Sequence, residues 1–266
     1  MTITTITDSN DPRIAPYCHM KDKQLAQALG LFVAEGEFLV RRLLTSDFKT
    51  HSVLMTETRF RAGDWGVPDE VPVYLASKSI ISEIVGFQFH RGVLALGRRH
   101  SAVPLVHGLS DTKRVTRLVI CPEINDVENL GSLMRTGAGL GYGHFLLGPS
   151  CCDPFARRAI RTSMGTVFQL NIIRSQDLQA DLNWLKAQNG FQWHASVICD
   201  KAVPLHSITP PHKVGLLIGS EAHGLAETWL QLADQRVTIP MALGTDSLNV
   251  SVAAGIFMHH YQRPGQ

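Results

Sequence analysis

The sequence predicts an α/β protein built from two alternating blocks of strands and helices. Short apolar runs of strand type recur along the chain, and segments with helical spacing of apolar residues separate them. One polar stretch then divides the series in two. At 266 residues the chain is long enough for two domains of ordinary size. This alternation is typical of layered folds in which helices pack on a sheet.

The first block, residues 1–100, is predicted to be an α/β/α sandwich. Its two helical segments are EFLVRRLL and SKSIISEIV. Its predicted strands are LFVAEG, HSVLMT, VPVYLA and GVLALG. The polar stretch GRRHSAVPLVHGLSDTKR follows them and predicts a linker at residues 101–116.

The second block, residues 117–266, is predicted to contain a parallel sheet. Its strands are RLVICPE, HFLLG, TVFQLNI, FQWHASVI, KVGLLIG and RVTIP. Its helices are predicted at 129–140, 154–164, 177–189, 225–233 and 247–261. Because each strand is followed by a crossover helix, the strands should pair in parallel. Ligands of such sheets bind beyond the carboxyl ends of the strands.

Three polar, glycine-rich clusters each follow one of these strands, so three distant segments should meet at one edge of the sheet. The clusters are NDVENLGSLMRTGAGLGYG with Asn129 and Arg135, IGSEAHG with Gly219 and Glu221, and IPMALGTDSLNVSVAAG with Ser247 and Asn249.

Each cluster also has a purely structural interpretation. Asn129 would cap or closely precede a helix, and Glu221 would face a helix N-terminus, where the dipole favours it. Ser247 is a ready N-cap of the last helix, whereas Asn249 inside a helix needs a hydrogen-bond partner. The run GAGLGYG follows a helical segment instead of a strand, which excludes a dinucleotide-binding fingerprint and indicates a helix end and turn.

Taken in order, the three clusters resemble the three motifs of the SpoU/TrmH branch of the SPOUT RNA methyltransferases, which methylate a ribose 2′-hydroxyl with S-adenosylmethionine. The resemblance is strong over about residues 117–262 and loose over 13–100. It implies a C-terminal SPOUT α/β domain with a parallel sheet and a trefoil knot. An L30e-like α/β/α domain that binds the RNA substrate would precede it.

The resemblance also implies roles for individual residues. Arg135 would position the substrate phosphate and ribose, because a guanidinium that stays protonated is a poor general base. The proton would leave through a neighbouring phosphate, water or side chain. The implied catalytic residues are Asn129, Arg135, Glu221, Ser247 and Asn249. The implied cofactor-binding residues are Leu217, Gly219, Ser220, Gly224, Ile239, Met241 and Leu248.

RNA contacts are expected at Arg91, Arg158 and Arg161. Arg158 and Arg161 precede Ser163 and Gly165 in a segment that resembles the family's connection between motifs 1 and 2. Arg91 stands where these enzymes usually carry glutamine, so the particular RNA stays open between tRNA and rRNA.

The amino-acid composition says less about function than the motifs do. The chain is 44% hydrophobic and 18% charged, which is typical of a packed globular protein. Its net charge of +2 does not by itself indicate a nucleic-acid-binding protein. Five cysteines without a C-x-x-C pair argue against a metal site or a disulfide framework. No apolar run approaches the ~18 residues that span a bilayer, and the N-terminus lacks the features of a signal peptide. We therefore expect a cytoplasmic protein that binds no metal and no membrane.

Two further function classes stay open. One is a noncatalytic RNA-binding paralogue that uses the L30e-like module, and the other is a base methyltransferase from another SPOUT branch. The resemblance also implies a homodimer through the last helix, whose apolar surface exceeds one intramolecular face, with Val252, Ile256 and His259 near the interface.

Overall fold

The computed structural model describes residues 2–18, 29–86, 89–100 and 115–262. Most of the predicted linker at 101–116 therefore lies outside the described residues. The elements before it are β1 (Ile3–Ile6), α1 (Ala15–Cys18), β2 (Leu31–Glu35), α2 (Glu37–Leu44), β3 (Thr50–Met55), α3 (Glu57–Arg61), β4 (Val73–Ala76), α4 (Lys78–Val85) and β5 (Val93–Arg98).

The elements after it begin with β6 (Arg117–Cys121), α5 (Val127–Gly139), β7 (His144–Leu147), α6 (Arg157–Thr162), β8 (Asn171–Arg174) and α7 (Leu178–Asn189). They continue with β9 (Gln192–Ser196), β10 (Val203–Pro204), β11 (Val214–Leu217), α8 (Glu227–Leu232), β12 (Gln235–Thr238) and α9 (Val250–His260). Short 3₁₀ helices lie at Pro12–Ile14, Thr166–Gln169 and Leu205–Ser207.

The chain forms two compact units. Unit 1 consists of Met1–Ser101 and Phe155–Gln169, and unit 2 consists of Ala102–Pro154 and Leu170–Gln266. The segment 155–169 lies between strands of the second block in sequence, yet it clusters with the first block.

Unit 1 contains a five-stranded mixed sheet in the order β1-β4-β3-β5-β2. Strand β4 pairs in parallel with β1 and β3, whereas β5 pairs antiparallel with β2 and β3. All four predicted strands and both predicted helices are present. The edge strand β1 was not predicted, because the four residues ITTI are too few to establish an alternating pattern.

An aromatic cluster attaches the segment 155–169 to the rest of unit 1. The ring of Phe32 on β2 stacks on Phe155 and Phe168, with centroids 5.2 and 5.4 Å apart. Phe48 meets Phe32 edge to face at 5.5 Å. Such ring contacts stabilise a core beyond the burial of their area, so this segment completes the apolar packing of unit 1.

Unit 2 contains a seven-stranded sheet in the order β10-β12-β9-β11-β6-β7-β8. Every described pair in it is parallel, which confirms the predicted pairing. The predicted strand TVFQLNI is partly wrong, since Thr166–Gln169 form a 3₁₀ helix and the strand begins at Asn171. The glycine run behaves as predicted: α5 ends at Gly139, and Gly141 has φ +79° in the following turn.

The last helix packs against the helix that carries the first motif. A Cβ on Gly255 of α9 would lie 3.1 Å from Thr136 Cγ2, and a Cβ on Gly137 of α5 would lie 3.5 Å from Met258 Sδ. The hydroxyl of Tyr142 donates to the carbonyl of Met258 at 3.2 Å. Helix α9 therefore packs along the C-terminal half of α5.

Candidate active site

The loops with the three polar clusters emerge from one edge of the unit 2 sheet. Strand β11 pairs directly with β6, where Leu217 lies opposite Ile120, and β9 lies between β11 and β12. Because all these strands run in parallel, their carboxyl ends share that edge. Motif 1, the cluster with Asn129, follows β6. Motif 2, the cluster with Glu221, follows β11, and motif 3, the cluster with Asn249, follows β12.

Motif 1 is positioned by a helix cap. Asp126 Oδ1 accepts from the backbone N–H groups of Glu128 at 2.7 Å and Asn129 at 2.8 Å, which makes Asp126 the N-cap of α5. Asn129 thus lies in the first turn of the helix and is not itself the cap. Its side chain is left to make contacts outside the helix.

One side chain from each motif joins a common hydrogen-bond chain. The Nδ2 of Asn129 donates to Glu221 Oε1 at 2.7 Å, and the Nδ2 of Asn249 donates to Asn129 Oδ1 at 2.9 Å. An ionised carboxylate only accepts, so Glu221 fixes which end of the Asn129 amide faces which neighbour. The three motifs that the sequence predicted to converge therefore meet at Asn129.

A tight loop presents Glu221. Ser220 and Gly224 exchange two backbone hydrogen bonds of 3.0 Å, and Gly224 has φ +66°. A Cβ on Gly219 would lie 2.3 Å from the carbonyl carbon of Gly224 and 2.6 Å from the nitrogen of Leu225. The loop itself therefore requires both glycines, and a ligand would contact their backbone only.

Motif 3 ends in a cap that differs from the predicted one. Asn249 is the N-cap of α9, and its Oδ1 accepts from the backbone N–H of Ser251 at 2.9 Å and its Oγ at 2.6 Å. The predicted cap, Ser247, is exposed in the preceding loop, so that prediction was wrong. Asn249 combines a capping oxygen with an amide group that reaches Asn129.

Arg135 lies apart from this hydrogen-bond chain. It is exposed on α5, about a third of a turn around the helix from Asn129, and it makes no hydrogen bond or ion pair with any described residue. Its guanidinium is therefore available to an external anion. The residues expected to bind RNA belong to unit 1, where Arg158 and Arg161 are exposed and Arg91 contacts Glu35.

The residues expected to hold the cofactor line the second and third loops. Leu217 is fully buried, so only its backbone could reach a ligand. Ile239, Met241 and Leu248 are half-buried, in a loop where Leu243 has φ +56°. This set combines half-buried apolar side chains of the third loop with the backbone of the second loop.

The loop after β9 is a fourth neighbour that the sequence did not reveal. Strand order places it at the same edge, between the loops of motifs 2 and 3. Its Ile198 side chain is 69% exposed, and the N–H of Val197 donates to the Val237 carbonyl at 3.0 Å. No polar motif marks this segment, so only the strand order could have identified it.

The thiol of Cys121, the last residue of β6, is not a reactive group. Burial, with added repulsion from Cys151 and Glu221, raises the pKa of the Cys121 thiol well above its usual range and keeps it protonated. Within residues 2–18, 29–86, 89–100 and 115–262, no three histidine, cysteine, aspartate or glutamate residues are arranged to hold a metal ion. None of the described helices has the length and apolar character to cross a membrane.

Comparison with known proteins gives consistent matches. The model of the SpoU rRNA Methylase family matches residues 116–259. An uncharacterized tRNA/rRNA methyltransferase of Mycobacterium bovis is 32% identical over 99% of this chain and 93% of its own length. The 23S rRNA (guanosine-2'-O-)-methyltransferase RlmB of Acinetobacter baylyi is 27% identical over 72% of this chain and 78% of its own. A solved AdoMet-bound rRNA methyltransferase of Sinorhizobium meliloti has a TM-score of 0.85 at 24% identity over 99% of both chains, a likeness in fold.

Proposed function

Because this chain belongs to the SpoU rRNA Methylase family, the SpoU/TrmH enzymes, we propose that it methylates a ribose 2′-hydroxyl of tRNA or rRNA with S-adenosylmethionine. The observation that carries the proposal is the hydrogen-bond chain Glu221–Asn129–Asn249, which joins all three motifs at one sheet edge. Relatives named for ribose 2′-O-methylation, such as RlmB, support the choice of ribose over base.

The site residues have two kinds of role, alignment of the ribose and binding of the substrate phosphate. Asn129 has both ends of its amide engaged, so it is a rigid group against which a ribose can be aligned. Arg135 is exposed and unpaired among the described residues, which suits it to hold a substrate phosphate. Ser247, exposed near Asn249, completes the polar side of the site. Alignment of the nucleophile is the main task, because the methyl donor is already activated.

The loops after β11 and β12 fit the donor. S-adenosylmethionine supplies a methyl group on a positively charged sulfonium. Ile239, Met241 and Leu248 would enclose its apolar parts, and the Glu221 carboxylate would serve as a counter-charge. Backbone groups of Leu217, Gly219, Ser220 and Gly224 would bind its polar atoms.

Three finer features belong to the same proposal. An L30e-like domain of residues 1–100, which belongs to unit 1, would bind the RNA. The C-terminal segment of the 117–266 domain, whose helix α9 packs on α5, would form a trefoil knot. Val252 and Ile256 are 51% and 40% exposed although α9 buries its opposite face, and His259 is exposed beside them, which supports a homodimer through that helix.

The test combines cofactor binding with chemical analysis of the product. Purified protein is titrated with S-adenosylmethionine in a calorimeter and then incubated with methyl-labelled donor and RNA from a strain that lacks the protein. We expect the label in alkali-stable dinucleotides, because a methylated 2′-oxygen cannot assist backbone cleavage. Label in alkali-released mononucleotides would indicate base methylation. RNA binding without any cofactor binding would indicate the noncatalytic alternative.

A further inference from the structure

Glu37 of unit 1 holds two arginines at once. The Nε of Arg41 donates to Glu37 Oε1 at 3.0 Å, and Nη1 of Arg59 donates to Oε2 at 3.3 Å. All three side chains are between 43% and 45% exposed. An exposed pair of this kind contributes little to stability, so the arrangement needs no role in holding the fold.

Glu35, two residues earlier, holds a second pair of arginines. Arg157 approaches Glu35 Oε2 with Nη2 at 2.5 Å and Nε at 2.8 Å, and Arg91 lies on the other oxygen with Nε at 3.8 Å. The Arg91 side chain also donates to the Glu35 backbone carbonyl at 3.4 Å. The Glu35 side chain is only 9% exposed, whereas that of Arg91 is 41% exposed. Glu35 therefore acts as a buried anchor for guanidinium groups that reach the surface.

Two glycines make room for the stems of these arginines. A Cβ on Gly92 would lie 2.7 Å from Arg59 Cγ, and a Cβ on Gly36 would lie 3.0 Å from Arg91 Cδ. The stems of Arg59 and Arg91 thus lie against bare backbone. Together with the carboxylates, this contact restricts where the two guanidinium groups can go, and fewer rotamers are lost when they bind a ligand.

The arginine cluster, defined as Arg41, Arg59, Arg91 and Arg157, carries four positive charges against the two carboxylates that organise it. Glu37 and Glu35 thus each contact two guanidinium groups of the cluster. Guanidinium groups that already bond one carboxylate keep further N–H donors, which suit phosphate oxygens. A concentrated basic surface of this kind is the electrostatic signature of nucleic-acid backbone binding.

An exposed aromatic ring lies next to the cluster in sequence. Phe38 follows Glu37 at the start of α2 and is 49% exposed, and the guanidinium of Arg42 covers its ring at 4.7 Å. Exposed aromatic rings beside arginines are what unpaired nucleobases stack on. A paired helix hides its base faces and could use only the charges.

We propose that the arginine cluster and Phe38 bind an unpaired segment of the substrate RNA, with phosphates on the guanidinium groups and a base on Phe38. The inference rests on the proposed function, because it takes RNA as the substrate. It replaces a general expectation of RNA contacts with a defined surface, and it adds Arg41, Arg59 and Arg157 to Arg91.

The test compares matched variants of the full chain. In Arg59→Gln/Arg91→Gln, Glu37 keeps Arg41 and Glu35 keeps Arg157, so the fold should be retained, as thermal unfolding will verify. The control is Arg61→Gln, because Arg61 on the same helix pairs only with Glu57 among the described residues and is 76% exposed. Labelled single-stranded oligouridylate and an RNA duplex of equal length serve as probes over a range of salt concentrations.

We expect the double variant to bind oligouridylate about tenfold more weakly, with a salt dependence reduced by about one to two units of slope. Phe38→Ala should weaken the single strand about tenfold and leave the duplex unchanged. If the double variant binds both probes as Arg61→Gln does, the proposal that the arginine cluster binds RNA is refuted. If Phe38→Ala affects both probes equally, the proposal that the bound RNA segment is unpaired is refuted. A wild-type protein that binds RNA through this surface but transfers no methyl group would instead refute the proposed function.

Discussion

The side-chain amide of Asn129 donates to the carboxylate of Glu221 at 2.7 Å, and this bond links the loop after β6 to the loop after β11. Asn249 extends the link to the loop after β12. Residues separated by about ninety or more positions in sequence thus form one connected group.

Replacing Asn129 with alanine should lower methyl transfer by about 10²-fold, because the aligned amide is lost and both of its neighbours lose a partner. Asn249→Ala should have a similar effect, and the double variant should be little worse than either single one, since the residues act as a unit. Single-turnover transfer at saturating cofactor measures this. Ser132→Ala, one turn further along α5, is the control and should transfer at the wild-type rate.

Arg135→Ala should leave the affinity for S-adenosylmethionine nearly unchanged and lower transfer by about 10²-fold, because Arg135 would hold the substrate phosphate. Arg135→Lys should restore little, since a point charge cannot reproduce the two-pronged guanidinium. Calorimetry and single-turnover kinetics separate the two effects, with Arg236→Ala as the control. Wild-type transfer by Arg135→Ala would remove this residue from the mechanism.

The Arg174 guanidinium donates to four backbone carbonyls of residues 148–152 at 2.8 to 3.3 Å. Arg174→Lys should therefore destabilise the protein by about 1–3 kcal/mol and also slow methyl transfer. That loop in turn donates a hydrogen bond of 2.8 Å to the Ile124 carbonyl, just before the helix that carries Asn129. Urea denaturation measures the first effect. Arg236→Lys, with one exposed carboxylate partner, should change neither property.

The free energy of unfolding should fall as the pH drops below about 6.5. Burial lowers the pKa of His194, against a smaller opposing effect of Asp234, and its Nδ1 lies 2.5 Å from the Tyr261 hydroxyl. The folded state therefore binds fewer protons than the unfolded state in this range, so acid favours unfolding. His194→Gln should reduce the slope between about pH 7 and pH 5, and the remainder belongs to His51 and His144, whose pKa values burial also lowers. If it shows the wild-type slope, as the exposed His223→Gln should, His194 is not the group responsible.

The spacing of apolar residues predicted most strands and helices of both sheets, because this spacing can be recognised within a short segment of sequence. The cap of α9 was missed because Ser247 and Asn249 are both good capping residues, and only the bond to Asn129 explains why Asn249 is used. The pairing of Glu35 with Arg157 joins residues 122 positions apart and has no local signal. The same holds for the loop after β9, whose place at the site depends on strand order alone.

The most direct measurement of the central claim is a map of ribose methylation in total RNA from a strain that lacks this protein. We expect a ribose methylation in tRNA or rRNA to be absent from that strain and to return with the wild-type gene but not with Asn129→Ala. An unchanged ribose map, a missing base methylation in its place, or full restoration by Asn129→Ala would contradict a 2′-O-methyltransferase that works through this site.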